Sequence, residues 1–135
     1  MTSDPGRFKR LDRFFRDRPT AQAEWLDNNL GIEGLVVGDW VLAEVLRGFK
    51  DDRGFNEARR LLGRLEQASL CGEDIAVEAA RNFCKLRAHG VTVLGTVDVI
   101  IATRCLASGF RLLHSDRDFD AFEKHLGLRV VDCAA

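Results

Sequence analysis

Leu35-Val36-Val37-Gly38-Asp39-Trp40-Val41-Leu42-Ala43-Glu44-Val45-Leu46-Arg47-Gly48-Phe49 is the stretch on which the fold turns. Its first three residues are aliphatic with no polar alternation, which is how a parallel strand covered on both faces reads. The period then changes. Val41, Leu42, Val45, Leu46 and Phe49 recur at helical spacing and share one face, with Asp39 placed to cap the helix and Gly48 to help end it. A strand that runs directly into a helix is the opening half of a βαβ unit.

The same alternation continues in both directions. Ala21 to Leu30 is a short amphipathic helix, with Gly31 suited to a left-handed close. Asp51 or Asp52 caps the next helix, in which Ala58, Leu61, Leu62 and Leu65 form an inward stripe and Arg59, Arg60 and Arg64 face outward. Gln67 to Leu70 reads as a short strand. Gly72 to His89 is the longest helical pattern, with Ile75, Ala76, Ala79, Ala80, Phe83 and Leu86 inward and Gly90 as its stop. Thr96 opens a helix carrying Val99, Ile100, Ala102, Thr103 and Leu106, which Gly109 ends. Phe110 to His114 is a strand, Asp118 to His125 a short helix, and Leu128 to Val131 a final strand. Strands alternating with helices define an α/β class with a parallel sheet, and 135 residues suit one domain, 1–135.

Composition narrows the function classes. No run of 18 apolar residues exists and Met1 to Arg18 is charged throughout, so no membrane span and no signal peptide are expected, and the location expected is cytoplasmic. Cys71, Cys84, Cys105 and Cys133 have no C-x-x-C spacing and no clustered histidines, which points to small core hydrophobes rather than a zinc site or disulfide framework. With a net charge of −1, nucleic-acid contact has to be local rather than a whole-surface property.

The chemistry lies in acids set among apolar residues. Glu44 interrupts Val41-Leu42-Ala43-Glu44-Val45-Leu46, and Asp98 interrupts Val97-Asp98-Val99-Ile100-Ile101-Ala102. Asp116 and Asp118 directly follow the strand ending at His114. All lie at strand ends or on the helices that follow, the rim where open α/β sheets bind ligands. Burying a carboxylate is costly unless a partner or metal compensates it, so Glu44 and Asp98 are expected to line one polar pocket. Carboxylates and water are the ligands that Mg2+ and Mn2+ prefer. Two plainer readings stay open: Glu44 paired with Arg47, and Asp98 acting only on its own helix. Asp118 likewise suits a helix N-cap as well as a site.

Val36-Val37-Gly38-Asp39 with Val41 to Phe49, then Thr96 to Ala102, then Leu113-His114-Ser115-Asp116-Arg117-Asp118-Phe119, resemble in order and spacing the successive motifs of VapC-type PIN domains, over about Arg16 to Val131. The resemblance implies a three-layer α/β/α sandwich with a central parallel sheet. It implies a Mg2+- or Mn2+-dependent endoribonuclease toxin, with RNA as substrate, a cognate VapB-like antitoxin and a homodimeric state. By position Glu44, Asp98 and Asp116 match the family's second, third and fourth acids and its metal ligands, with Asp118 an auxiliary catalytic candidate.

One part departs from the pattern. Such domains begin with an apolar strand ending in Asp, whereas residues 1–13 here are atypical, and anchoring on Phe14-Phe15-Arg16 puts Arg7 where the first acid belongs. Five basic residues between Arg7 and Arg16 are expected to disrupt a central strand. Read one base later, the codons of Gly6 to Arg13 permit Val-Asp-Ser-Ser-Val-Trp-Ile-Asp, the missing motif, so a shifted reading frame accounts for the segment. As a genuine sequence it is a basic arm or solvated tail, with Asp4, Asp12 and Asp17 as its acids, and the chain becomes a catalytically impaired PIN domain that still dimerises and binds antitoxin. DNA cleavage is a third, weaker reading. Arg59, Arg60 and Arg64 read as a solvated face, Trp25 and Trp40 as core or dimer contacts, and His114 as a hydrogen-bonded strand-end residue.

Overall fold

Backbone pairing, rather than side-chain character, fills the centre of the sheet. The computed structural model describes residues 7–9, 21–29, 34–92, 95–114 and 116–133. Strand β1 (Arg7–Lys9) lies between β2 (Leu35–Gly38) and β4 (Arg111–Leu113), parallel to both, and β3 (Glu66–Ala68) pairs with β2 to give the order β3-β2-β1-β4. The basic segment expected to disrupt the first strand therefore still supplies one, of three residues. Ladder hydrogen bonds need only backbone N–H and C=O groups, which Arg7, Phe8 and Lys9 provide like any others. Residues 10–20, including Asp12, Asp17 and the Phe14–Arg16 anchor, and the Gly31 helix close lie outside the described residues.

Helices α1 (Ala21–Asn29), α2 (Asp39–Leu46) and α3 (Asp52–Leu62) fall between the first three strands. Helices α4 (Glu73–Ala88) and α5 (Thr96–Ser108) carry the chain back to β4, and α6 (Asp120–Leu126) follows it. The arrangement is the expected α/β/α sandwich around a parallel sheet. The final segment, expected as a strand, touches β4 through the parallel bridge Leu112↔Val130, with Leu112 N–H donating to Arg129 C=O and Val131 N–H to Leu112 C=O.

Strand β2 is buried along its whole length, as its aliphatic run requires. It meets Val41 and Val45 from α2, Ile101, Ala102 and Cys105 from α5, Phe119 from the 3-10 turn Arg117–Phe119 and Phe122 from α6 in one core. On α4 the inward face differs from the expected stripe: Ile75, Ala79, Asn82 and Leu86 are buried, while Ala76 and Ala80 are exposed. The buried face is rotated to place the Asn82 amide against α5, where its Nδ2 donates to the buried Thr103 Oγ1 at 3.0 Å. Asp51 caps α3, accepting from Gly54 N–H at 2.7 Å.

Strand order sets the position of the functional rim. The chain steps outward from β1 to β2 to β3 and then crosses back to the far side of β1, so connections leave in opposite directions at the β1–β4 boundary. Crevices outside the carboxyl ends of strands at such a reversal are where open α/β sheets bind ligands.

Candidate functional site

Asp98 stands in the first turn of α5, the helix whose C-cap Gly109, at φ 71°, turns the chain into β4. Residues Val99 to Thr103 behind it are buried, which fixes the helix and leaves Asp98, half-buried, at its rim-facing end. Beyond β4, Asp116 caps the 3-10 turn Arg117–Phe119, its Oδ1 accepting from Asp118 N–H at 2.9 Å. This local hydrogen bond folds Asp116 and Asp118 into one tight turn, which the buried Phe119 anchors. Carboxylate oxygens of Asp98, Asp116 and Asp118 lie within 4.8 Å of one another. Three like charges this close repel, and a divalent cation with oxygen-rich coordination offsets that repulsion.

Glu44 takes a neighbouring place instead of joining this trio. Trp40, Ala43, Glu44 and Arg47, on one face of α2, look across at Gly95, Thr96, Val97 and Asp98 at the start of α5, and the two surfaces line a wide, open cavity of about 550 Å3. Asp98 belongs to both the cavity and the trio. The expectation that Glu44 and Asp98 share a pocket thus holds in geometry, while the tight cluster takes in Asp118 rather than Glu44. The alternative of Asp118 as an N-cap is not what forms: Asp116 caps the 3-10 turn, and α6 has Phe119 at its N-cap with no side-chain cap bond.

His114 fits its strand-end reading. Its Nδ1 accepts the Asp116 N–H at 3.1 Å and its ring packs on Phe119 with centroids 4.9 Å apart, so it braces the Asp116 turn. Burial lowers its pKa from the ordinary histidine value, with the carboxylates of Asp120, Asp116 and Glu123 pulling the other way.

By register, Arg7 is opposite Leu35 and Arg111, and Lys9 is opposite Val37 and Leu113. Lys9, not Arg7, is thus the described β1 residue nearest the functional rim. A basic residue therefore stands both at Arg7, where the anchor on Phe14 puts the family's first acid, and at the rim end of the strand.

Asp39 was expected to cap α2. Its Oδ1 instead accepts from Trp40 N–H at 2.9 Å and from Leu70 N–H at 3.0 Å, tying the β2–α2 junction to the segment after β3. Trp25 packs against the core as expected, whereas Trp40 is 39% exposed on the cavity wall. Cys105 is buried and Cys71 and Cys133 pack against the core, but Cys84 is exposed, correcting its reading as a core residue.

The family model described as PIN domain matches residues 11–125. The crystal structure of VapBC2 from Rickettsia felis bound to a DNA fragment from their promoter is similar in fold, with a TM-score of 0.64 at 16% identity, covering 92% of this chain and 96% of that one.

Proposed function

The chain belongs to the PIN-domain family, and from that premise we propose that it is a divalent-metal-dependent endoribonuclease, the toxin of a VapBC-type pair acting in the cytoplasm. The convergence of Asp98, Asp116 and Asp118 at the β1–β4 reversal, with Glu44 in the adjoining cavity, carries this reading. The donor set is all carboxylate, which fits Mg2+ or Mn2+ and disfavours softer metals. Asp98, Asp116 and Asp118 would hold the ion. When bound, it supplies Lewis acidity for in-line attack of water on an RNA phosphodiester and neutralises charge at the leaving oxygen. Glu44 is the acid left to orient the attacking water, while the His114–Asp116 bond and the Asp116–Asp118 turn keep two of the three carboxylates in place. A VapB-like antitoxin and a second copy of the chain are the proposed partners, on the strength of the family.

The test is cleavage of total RNA with Mn2+ by the wild type and by Asp98→Asn and Glu44→Gln. Loss in both variants supports the reading, and full activity in both sinks it.

A second reading has its own observation. The described β1 residue nearest the rim is Lys9, and the match to the family model begins at residue 11, past Arg7. On this reading the chain is a PIN domain impaired in catalysis that still dimerises and binds antitoxin. A Mn2+ titration separates the two, because a chain with a working site binds the ion and an impaired one does so feebly.

A further inference from the structure

The cavity beside the acid trio has a wall that the cleavage reading leaves unused. Trp40, in the first turn of α2, is the largest side chain on it and is 39% exposed, and across the gap Val97 is 45% exposed. The backbone that presents the indole is held in place. Asp39 Oδ1 accepts both the Trp40 N–H and, from 31 residues away, the Leu70 N–H. Arg47, two helical turns along the same face, adds a cation, Glu44 falls between the two along the helix, and Asp98 lines the same cavity from α5.

A flat apolar face, a cation and a neighbouring acid cluster fitted to a divalent ion together complement a nucleotide: base on the indole, phosphates toward Arg47 and the trio. The cavity volume of about 550 Å3 falls inside the ~300–1,000 Å3 range typical of small-ligand sites. A base within a duplex has both faces covered by its neighbours, so only an unstacked base offers the face that Trp40 needs.

We propose that Trp40 is a stacking platform for an unpaired base, which makes a single-stranded RNA segment the ligand of this cavity. The proposal rests on the nuclease reading for its choice of RNA, yet stacking requires no bound metal and is measured without one. Trp40 is a positioning residue here.

In a Trp25→Phe background Trp40 is the sole indole. Titrating that protein, in excess chelator, with a short single-stranded RNA of mixed sequence should quench its emission saturably, and the matching duplex should not. Trp40→Ala should weaken binding of the single strand roughly tenfold or more, and Trp40→Phe should restore most of it. Thermal melts of both variants check that the fold is intact. Unchanged emission, equal binding by Trp40→Ala, equal affinity for the duplex, or an effect of Trp40→Ala on a protein partner alone would each overturn the proposal. Failure of the nuclease reading looks different: no Mn2+-dependent cleavage, with quenching by the single strand retained.

Discussion

Replacing Asn82 with Ala tests how the acid-bearing helix is held. The Asn82 side chain is 5% exposed and that of Thr103 fully buried, joined by a 3.0 Å hydrogen bond between α4 and α5. Loss of the bond costs about 1 kcal/mol, and the space left by the amide adds roughly 1–2 more, for a total of about 2–3 kcal/mol. Thr103 keeps a fallback, since a helical threonine hydroxyl can bond the carbonyl one turn back, so its desolvation adds little. In a cycle with Thr103→Val the two losses should fall short of additivity by about 1 kcal/mol, the share belonging to the bond itself. Asn82→Leu combined with Thr103→Val, apolar on both sides, should recover much of the stability. Urea unfolding followed by circular dichroism, with m-values compared, measures each quantity. A cost for Asn82→Ala of under about 0.5 kcal/mol, the size of an ordinary surface change, would refute the packing argument. So would strict additivity in the cycle.

Other consequences can be checked in the same laboratory. Asp118→Asn removes one of three clustered charges, so the metal-free variant should melt no lower than wild type, while stabilisation by Mn2+, about 2.7 kcal/mol at a hundredfold excess over Kd, should largely vanish; an unchanged Mn2+ shift by calorimetry would remove Asp118 from the site. Alkylation of the native chain followed by mass spectrometry should label exposed Cys84 first and spare Cys105, whose thiol burial pushes well above its ordinary pKa, until denaturant is added. His125 stacks on His89 with ring centroids 4.3 Å apart, and burial, then His89 and Lys124, lower its pKa. Its folded value is depressed, so its stabilisation is complete above the ordinary value of 6.5 and is lost as the pH falls through the folded value. Melting temperatures from pH 8 to pH 5 should show that loss in wild type and a smaller one in His125→Gln, and parallel curves would refute the assignment.

Much of this was legible in one dimension because periodicity reports burial directly. The aliphatic run Leu35 to Val37, the helical stripe of α3 with a cap at Asp51 or Asp52, of which Asp51 forms it, and the Gly109 stop of α5 all follow from spacing and local hydrogen bonding. An acid inside an apolar run marks itself in the same way, as Glu44 and Asp98 do, and both line one cavity. Periodicity is weaker where alanines make two helix faces look alike. The buried face of α4 departs from the expected stripe there, because the buried partner of Asn82 lies 21 residues further on, in another helix.

The sequence by itself determined the alternation of strands and helices, the glycine stops of α4 and α5, and the identity of the acids at the rim, since each depends on residues within a turn or two of one another. Tertiary structure alone decided the rest. Asp98 reaches Asp116 and Asp118 because the chain reverses across β1, and Asp118 rather than Glu44 completes the trio because a single turn hydrogen bond aims it there. Whether Trp40 is core or surface was equally beyond a local pattern, for exposure depends on what packs from elsewhere in the chain, and here one carboxylate ties its backbone down while leaving the indole open to the cavity.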